Sequence, residues 1–230
     1  MIDLSPMKGI HVDLKSRTAR AQGGVIWAEL NGETQLYNLA VTGGVVSSTG
    51  IAGLTLGGGL RWLMGKYGLA LDNLRSVELV TAEGEVLRAS NSEDPDLFWA
   101  VRGGGGNFGV ATSFEFQLHP VGPTVTGGLI AHPFDRARDL LRFYRDCTAS
   151  LPDTIFGGLI HAPDGSGTEL AAVSHVTVAR LPSAKKQCRP LDNSARPLWM
   201  RSVKCRTVSS MACSIPPTRR GHSTIGSRTS

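Results

Sequence analysis

The sequence predicts an α+β fold made of two consecutive units and a disordered tail. Short segments in which apolar and polar residues alternate are typical of strands, and apolar patterns of helical period separate them. The 28 glycines lie within these patterned segments and do not form linkers. We place the first unit at residues 1–121, the second at 122–181 and the tail at 182–230.

The first unit opens with two short strands and a helix. Ile10–Leu14 and Thr18–Gln22 alternate in polarity on either side of a turn at Lys15-Ser16. A helix is predicted from Val25 to about Asn38. Its expected inner face comprises Ile26, Leu30 and Leu36.

A hairpin and a second helix follow a glycine-rich stretch. Leu74–Ala82 alternates in polarity and is predicted to pair with Glu85–Ala89 through a two-residue turn. Asn91 or Ser92 is expected to cap a helix through Asp94–Val101, because acids in its first turn suit the positive end of the helix dipole.

The last strand of the first unit, Val110–Leu118, ends at His119-Pro120, and we place the unit boundary there. The second unit is predicted to hold one helix and three strands. These elements are a strand from about Thr124, a helix over Phe134–Ser150, and strands near Ile155–His161 and Glu169–Val178.

Composition limits the partners. Ten Lys or Arg residues and one acid, Asp192, lie between Ser183 and Ser230, so the pI of 9.3 reflects the tail. Trp199 is the only aromatic residue there that can stack on a base, so we expect no nucleic-acid partner. The cysteine spacings do not suit a metal site. The sequence shows no membrane span and no secretory signal, from which we expect a cytoplasmic protein.

Two glycine motifs resemble phosphate-binding signatures and fail on context. Gly59-x5-Gly65-Lys66-Tyr67 has the wrong spacing for a P-loop, and Tyr67 replaces the magnesium-binding Ser or Thr. Gly104-x-Gly106-x-x-Gly109 fits the dinucleotide fingerprint, but a helix precedes it and a strand follows. This order is the reverse of the one that places a diphosphate on a helix N-terminus.

A third glycine-rich stretch, GGVVSSTGIAGLTLGGG at Gly43–Gly59, is open to two interpretations. Small residues leave backbone N–H groups uncovered, which suits an anionic diphosphate and a flat ring. The alternative is a tight loop that merely lets two sheets pack. The residues alone favour neither.

Five motifs, in order, give the chain a family resemblance. GGVVSSTGIAGLTLGGG is followed by KYGLALDN, VTAEGEV, DLFWAVRGGGGNFGVATSFEF and HPVGP. Together they resemble the FAD-linked oxidases with a vanillyl-alcohol-oxidase (PCMH-type) FAD-binding domain, in particular the berberine-bridge-like and 6-hydroxynicotine-oxidase-like proteins. The likeness is dense over Ile2–Gly122. It implies a PCMH-type FAD-binding domain followed by a partial α+β substrate domain. It also implies FAD, which carries the redox chemistry while the protein orients a small-molecule substrate.

The resemblance implies FAD contacts at specific positions, mainly through backbone and hydroxyl groups. In the glycine-rich stretch they are Gly44, Ser48, Thr49, Gly50, Leu54, Thr55 and Gly57. Gly109 and Val110 match the family's Gly-Ile/Val pair, which closes over the adenine end.

Other residues of these motifs are expected to be structural. Asp72 and Asn73 are expected to tie the backbone of their own loop. Phe98 and Trp99 are expected in the core, and the role of Arg102 stays open.

Departures from the family pattern concern the flavin linkage. Val46 stands where bicovalent members have the flavin-linked cysteine, and no histidine matches the other attachment point. We therefore expect weak, non-covalent FAD binding in a chain that resembles a fragment without the N-terminal FAD lobe.

The resemblance implies an oxidase or dehydrogenase that acts on an alcohol, amine or sugar carbon, here weakly active or inactive. The alternative is a non-catalytic flavin-binding or interaction module. No catalytic residue is assigned. His132, His161 and Asp164 are the candidate substitutes for the family's base, each more typical of a surface or loop, and the substrate and oligomeric state stay open.

The tail is interpreted as a shifted reading frame. Read from the third base of each codon, Asn193–Thr207 permits the family-like sequence FGSPVVDAVGEMPY, and Cys213–Ser230 permits an N-Y-W-K-S segment typical of the substrate domain. The shift is predicted between Val173 and Pro182. Such a tail is expected to be disordered and without evolved function.

Overall fold

A computed structural model describes residues 1–122, 125–149, 155–163, 169–177 and 199–205. The first unit is built on a five-stranded antiparallel sheet in the order β1-β2-β6-β4-β5. Its strands are β1 Ile10–Asp13, β2 Thr18–Gln22, β4 Leu74–Val80, β5 Val86–Ser90 and β6 Val110–Gln117. A short pair, β3 Leu39–Ala40 and β7 His119–Pro120, stands beside this sheet.

The first unit has four helices, of which the first, second and fourth share a hydrophobic core with the sheet. They are α1 Trp27–Gln35, α2 Ile51–Leu56, α3 Met64–Tyr67 and α4 Pro95–Gly104. The core joins α1 to the sheet: the ring centroids of Trp27 and Phe116 are 5.9 Å apart, and both side chains are fully buried. Phe98 on α4 is also buried, as the sequence predicted.

Helix α1 is shorter than predicted and buries a different face. It ends at Gln35, and Leu36 is 70% exposed, so its prediction as an inner-face residue is wrong. The buried positions follow the i, i+3, i+4, i+7 spacing of one helical face. They are Trp27, Leu30, Asn31 and Thr34. Two polar residues on this face hid it from a search for apolar periodicity.

The β4–β5 hairpin is confirmed, but the predicted two-residue turn is wrong. Val80 pairs with Val86, and the Thr81 N–H donates to the Glu85 carbonyl at 2.9 Å. The three residues between them end at Gly84, whose φ of +86° is the left-handed conformation that such loops require.

The predicted cap of α4 is also wrong. The helix begins at Pro95 after Asp94, whose φ is +46° and whose side chain makes no capping bond. The Ser90 hydroxyl instead accepts the N–H groups of Ser92 and Glu93 at 3.2 and 3.0 Å. Proline, which fixes φ at a helix start, therefore sets the boundary.

In its described residues, the second unit forms an antiparallel sheet in the order β11-β8-β10-β9 and one helix. Its elements are β8 Val125–Pro133, α5 Ala137–Thr148, β9 Ile155–Pro163, β10 Glu169–Thr177 and β11 Trp199–Cys205. The predicted helix and three strands are confirmed. Val125 and Val176 pack with Leu63 and Tyr67, which joins this sheet to the first unit.

Strand β11 departs from the prediction of a disordered tail. Trp199–Cys205 pairs antiparallel with β8 along its whole length, where the sequence analysis expected disorder; the disorder of the tail stays a prediction. Backbone pairing with an open sheet edge needs little from the side chains, which explains how a segment without periodic sequence forms a strand. The rest of residues 182–230 lies outside the described part of the chain.

Within the described residues, no helix is long and apolar enough to cross a membrane.

Candidate functional site

The glycine-rich stretch after β3 begins as a loop seated on Trp27. A Cβ at Gly43 would lie 2.5 Å from Trp27 Cε3, and one at Gly44 would lie 2.6 Å from Leu54 Cδ1. Real Cβ atoms do not approach other atoms this closely, and Trp27 is fully buried and cannot move aside. These two glycines therefore hold the loop against the core.

The N-terminus of α1 fixes the next part of the loop. The N–H groups of Trp27 and Ala28 donate to the carbonyls of Thr49 and Ser47 at 3.0 and 2.8 Å. These donors lack partners inside the helix, so the loop satisfies them. The Thr49 hydroxyl donates to the Val46 carbonyl at 2.7 Å, which closes a turn whose tip exposes Val46.

Helix α2 presents bare backbone. Its buried face is Ile51, Thr55 and Leu56, while Gly50 and Gly53 are exposed. A Cβ at either glycine would meet no atom within 4 Å. An exposed glycine inside a helix costs about 0.5–1 kcal/mol relative to alanine. Neither steric crowding nor a positive φ explains Gly53, so the open space beside it is available to a ligand.

A second glycine segment lies next to α2. Helix α4 kinks at Arg102 and Gly103, and a 3-10 turn, Gly105–Phe108, follows and packs against α2. A Cβ would meet nothing within 4 Å at Gly103, Gly105 or Gly106. Gly103 and Gly105 have positive φ, but Gly106 has φ of −83° and needs no glycine. We call Gly50, Gly53, Gly103, Gly105 and Gly106 the glycine surface.

The fold alone explains the glycine at position 109. Gly109 has φ of +144°, and a Cβ there would lie 2.4 Å from the Val80 carbonyl oxygen. Val110 begins β6 and pairs with Val80. This pair therefore lies at the end of β4, directly after the 3-10 turn of the glycine surface.

The predicted FAD contacts differ in exposure. Those at the surface are Ser48, Thr49, Gly50 and Gly57. Leu54 is half-buried, and Gly44 and Thr55 are buried. The Thr55 hydroxyl has no hydrogen-bond partner among the described residues. The structure brings Gly44, Thr49 and Leu54 together, since a Cβ at Gly44 would lie 3.1 Å from the Thr49 hydroxyl.

The rejection of the dinucleotide fingerprint is confirmed by its context. Helix α4 precedes Gly104-x-Gly106-x-x-Gly109, and β6 follows it. The same glycines nevertheless belong to the glycine surface, which the sequence analysis missed. No sequence pattern distinguishes Gly53 and Gly106, because Gly32 on α1 also has open surroundings and no positive φ.

Asp72 and Asn73 tie their own loop, as predicted. Asp72 Oδ2 accepts the Leu69 N–H at 2.8 Å. Asn73 Nδ2 donates to the carbonyls of Tyr67 and Leu69 at 2.9 and 2.7 Å. Asn73 Oδ1 lies 2.6 Å from His119 Nε2, which links this loop to β7.

Trp99 is not a core residue. It is 75% exposed, because the buried face of α4 carries Phe98 and Val101, three positions apart, and Trp99 points away from it. The Arg102 guanidinium lies over the Phe98 ring, with Cζ 4.5 Å from the ring centroid.

Arg61 is a buried charge that no sequence motif indicated. It is 1% exposed, and burial lowers its pKa to about 10, so it stays protonated at neutral pH. It follows Leu60, which is 62% exposed at the end of the glycine-rich stretch.

Among the candidate bases of the second unit, the structure describes the side chain of His132. His132 is buried on β8 and pairs with Ala171, which packs with Leu140 of α5. Directly paired residues share one face of a sheet, so His132 lies on the helix side. Burial, and then the charge of Arg136, lowers its pKa. His161 lies on β9, and Asp164 lies outside the described residues.

Within the described part of the chain, no three His, Cys, Asp or Glu side chains cluster as metal ligands would.

Comparison with known proteins defines the class of the first unit. Residues 1–90 match the model of the FAD binding domain family. Residues 1–90 of the first unit are therefore similar to an FAD-binding domain.

The relatives of the chain are FAD-linked oxidoreductases. It is 45% identical to the FAD-linked oxidoreductase pgmH of Aspergillus terreus over 139 residues, which are 60% of the chain and 28% of that protein. Its fold matches 6-hydroxy-D-nicotine oxidase from Arthrobacter nicotinovorans with a TM-score of 0.80 at 32% identity, over 91% of the chain and 47% of that structure. A berberine bridge enzyme variant described as a reticuline dehydrogenase matches with a TM-score of 0.76 at 27% identity, over 83% of the chain and 39% of that structure.

These matches confirm the resemblance seen in the motifs. The chain spans 28% of the length of the curated relative and less than half of each solved structure. The residues of the glycine surface fit FAD, because bare backbone with open space beside it admits a flat ring system and an anionic diphosphate.

Proposed function

We propose that this chain functions as an FAD-dependent oxidoreductase that oxidises an alcohol, amine or sugar carbon of a small molecule. The observation that carries the proposal is the glycine surface, where Gly53 and Gly106 leave open space that the fold itself does not require. When it is bound, FAD would accept the hydride that leaves the substrate. The chain's contribution is to bind and orient it.

We propose that the cofactor contacts divide between two segments. Ser48, Thr49, Gly50 and Gly57 offer exposed backbone and hydroxyl groups on one side. Gly109 and Val110 follow the 3-10 turn on the other. The less exposed contacts are Gly44, Leu54 and Thr55, which lie on the core side of the loop. Gly44 lets the loop approach the core closely, and Leu54 packs against Gly44. The absence of a cysteine at position 46 supports non-covalent binding, with Val46 at the tip of the turn.

A single methyl group tests this assignment. Gly53→Ala adds a Cβ that meets no protein atom, so the cofactor-free chain should gain about 0.5–1 kcal/mol of unfolding free energy. The same methyl group occupies the space proposed for FAD, so FAD affinity should fall. FAD affinity is measured by titration with flavin fluorescence as the signal, and the unfolding free energy is measured by urea unfolding.

Gly32→Ala is the matched control. Gly32 is also exposed inside a helix, α1, and a Cβ there also meets nothing within 4 Å. It should stabilise the chain to a similar extent and leave FAD affinity unchanged. Equal FAD affinity in Gly53→Ala and the parent would show that the cofactor does not lie on α2.

Turnover separates the oxidoreductase from a non-catalytic flavin-binding module. The FAD-loaded chain is assayed with alcohols, amines and sugars, using an artificial dye as electron acceptor. Substrate-dependent dye reduction supports the oxidoreductase. FAD binding without reduction by any of the three classes would favour the binding module.

A further inference from the structure

Arg102 is a cation whose hydrogen-bonding capacity the described structure does not use. Its Nε is buried and has no hydrogen-bond partner among the described residues. Five ion pairs among the described residues involve other arginines and a lysine. A buried N–H without an acceptor costs free energy, so its retention calls for a function.

Two structural roles explain where the guanidinium lies but not what its N–H groups do. Arg102 is in the last turn of α4, where a cation favours the negative end of the helix dipole. Its Cζ lies 4.5 Å from the centroid of the Phe98 ring, which is a cation–π contact through the guanidinium face. Both interactions leave the donors at the edge of the guanidinium plane free for an acceptor.

The position of Arg102 indicates the kind of acceptor. The helix kinks at Arg102, and Gly103, Gly105 and Gly106 of the glycine surface follow directly. A guanidinium beside bare backbone is a typical anion site, since its planar N–H groups match phosphate oxygens. The diphosphate is the one anionic group of FAD.

We propose that Arg102 binds the diphosphate of FAD, with Phe98 holding the guanidinium in place from beneath. This inference rests on the proposed function and adds a charged ligand to a site otherwise made of backbone and hydroxyl groups. It assigns the residue whose role the sequence left open.

The test compares FAD with riboflavin, which lacks the diphosphate together with the adenosine. FAD and riboflavin are titrated against the full 230-residue chain, Arg102→Gln and Arg102→Lys. Arg102→Gln should weaken FAD binding at least about tenfold, the loss expected for a charge-assisted hydrogen bond, and should leave riboflavin binding unchanged. Arg102→Lys keeps the charge and the dipole interaction, so it should fold as the parent does and lose less FAD affinity.

Arg142→Gln on α5 is the control, because it removes the same charge from an exposed position of the second unit. Its affinities for both flavins should equal those of the parent. Equal FAD affinity in Arg102→Gln and the parent overturns the inference alone. An equal loss for FAD and riboflavin, with a lower melting temperature, assigns Arg102 a structural role and also overturns it. A parent chain that binds no FAD overturns both the inference and the proposed function.

Discussion

His119 is held between a hydrogen bond and a stacked ring at the end of the first unit. Asn73 uses both N–H groups of its amide on the carbonyls of Tyr67 and Leu69, so Oδ1 is an acceptor. His119 Nε2, at 2.6 Å, therefore carries a hydrogen. The imidazole stacks on Tyr67 with ring centroids 4.1 Å apart, and Lys66 Nζ lies 5.0 Å from the Tyr67 ring centroid.

This arrangement predicts a pH dependence of stability. Burial, and then the charge of Lys66, lowers the pKa of His119 below its usual 6.5. The unfolded state therefore binds a proton at a higher pH than the folded state, and stability rises with pH between the two values. The contribution is complete above pH 6.5 and is lost as the pH falls from there toward the folded pKa.

His119→Gln should flatten the fall in unfolding free energy below pH 6.5, measured by urea unfolding across pH. His132 has a pKa lowered in the same direction, so part of the fall should persist. His11→Gln, at an exposed position of β1, is the control and should follow the parent curve. An unchanged slope in His119→Gln would contradict this assignment.

At the scale of elements, the glycine-rich loop depends on its seat on Trp27. Gly43→Ala would place a methyl group 2.5 Å from Trp27 Cε3, and the fully buried indole has no room to shift. Overpacking of this kind costs about 1–3 kcal/mol. Urea unfolding should show that loss in Gly43→Ala, whereas Gly32→Ala should not destabilise the chain. A Gly43→Ala chain as stable as the parent would show that the loop does not rest on the indole.

Strands were more predictable than helices because their signal is local. Alternation along β1, β2, β4 and β6 was sufficient to locate them within one or two residues. Helix α1 was misjudged because Asn31 and Thr34 occupy its buried face. Helix α2 has six residues, two small, and no apolar period to detect. Trp99 looked like core because its size suggests burial, whereas its place on α4 exposes it.

The candidate site was predictable only in part. The motifs predicted FAD contacts in the glycine-rich stretch and at the pair Gly109–Val110. The glycine surface joins segments about 50 residues apart, so it exists only after α4 and its 3-10 turn have packed on α2. Whether Gly53 faces open space depends on that packing, and no sequence pattern reports it.

At the scale of the whole molecule, the second sheet rests on the first unit through an apolar cluster. Leu63 and Tyr67 of the first unit pack with Val125 and Val176 of the second. Tyr67 also stacks on His119, so its ring takes part in the apolar cluster and in the contact with His119. This cluster places the second sheet next to the segment that follows the glycine-rich stretch.

The tail yields a prediction on which sequence and structure differ. Pairing of β11 with β8 predicts that the amides of Trp199–Cys205 are protected from hydrogen exchange. Free exchange of these amides would instead support the disordered tail expected from a shifted reading frame. The frame shift stays a prediction, and genomic sequencing across Val173–Pro182 tests it directly.

The central claim is that this chain binds FAD without a covalent bond. The purified chain is titrated with FAD to saturation, followed by the change in flavin fluorescence, and the complex is then precipitated with acid. We expect the titration to saturate and the acid supernatant to contain all of the flavin, since position 46 is valine and carries no thiol. A titration that shows no binding, or flavin that stays in the acid pellet, would contradict the claim.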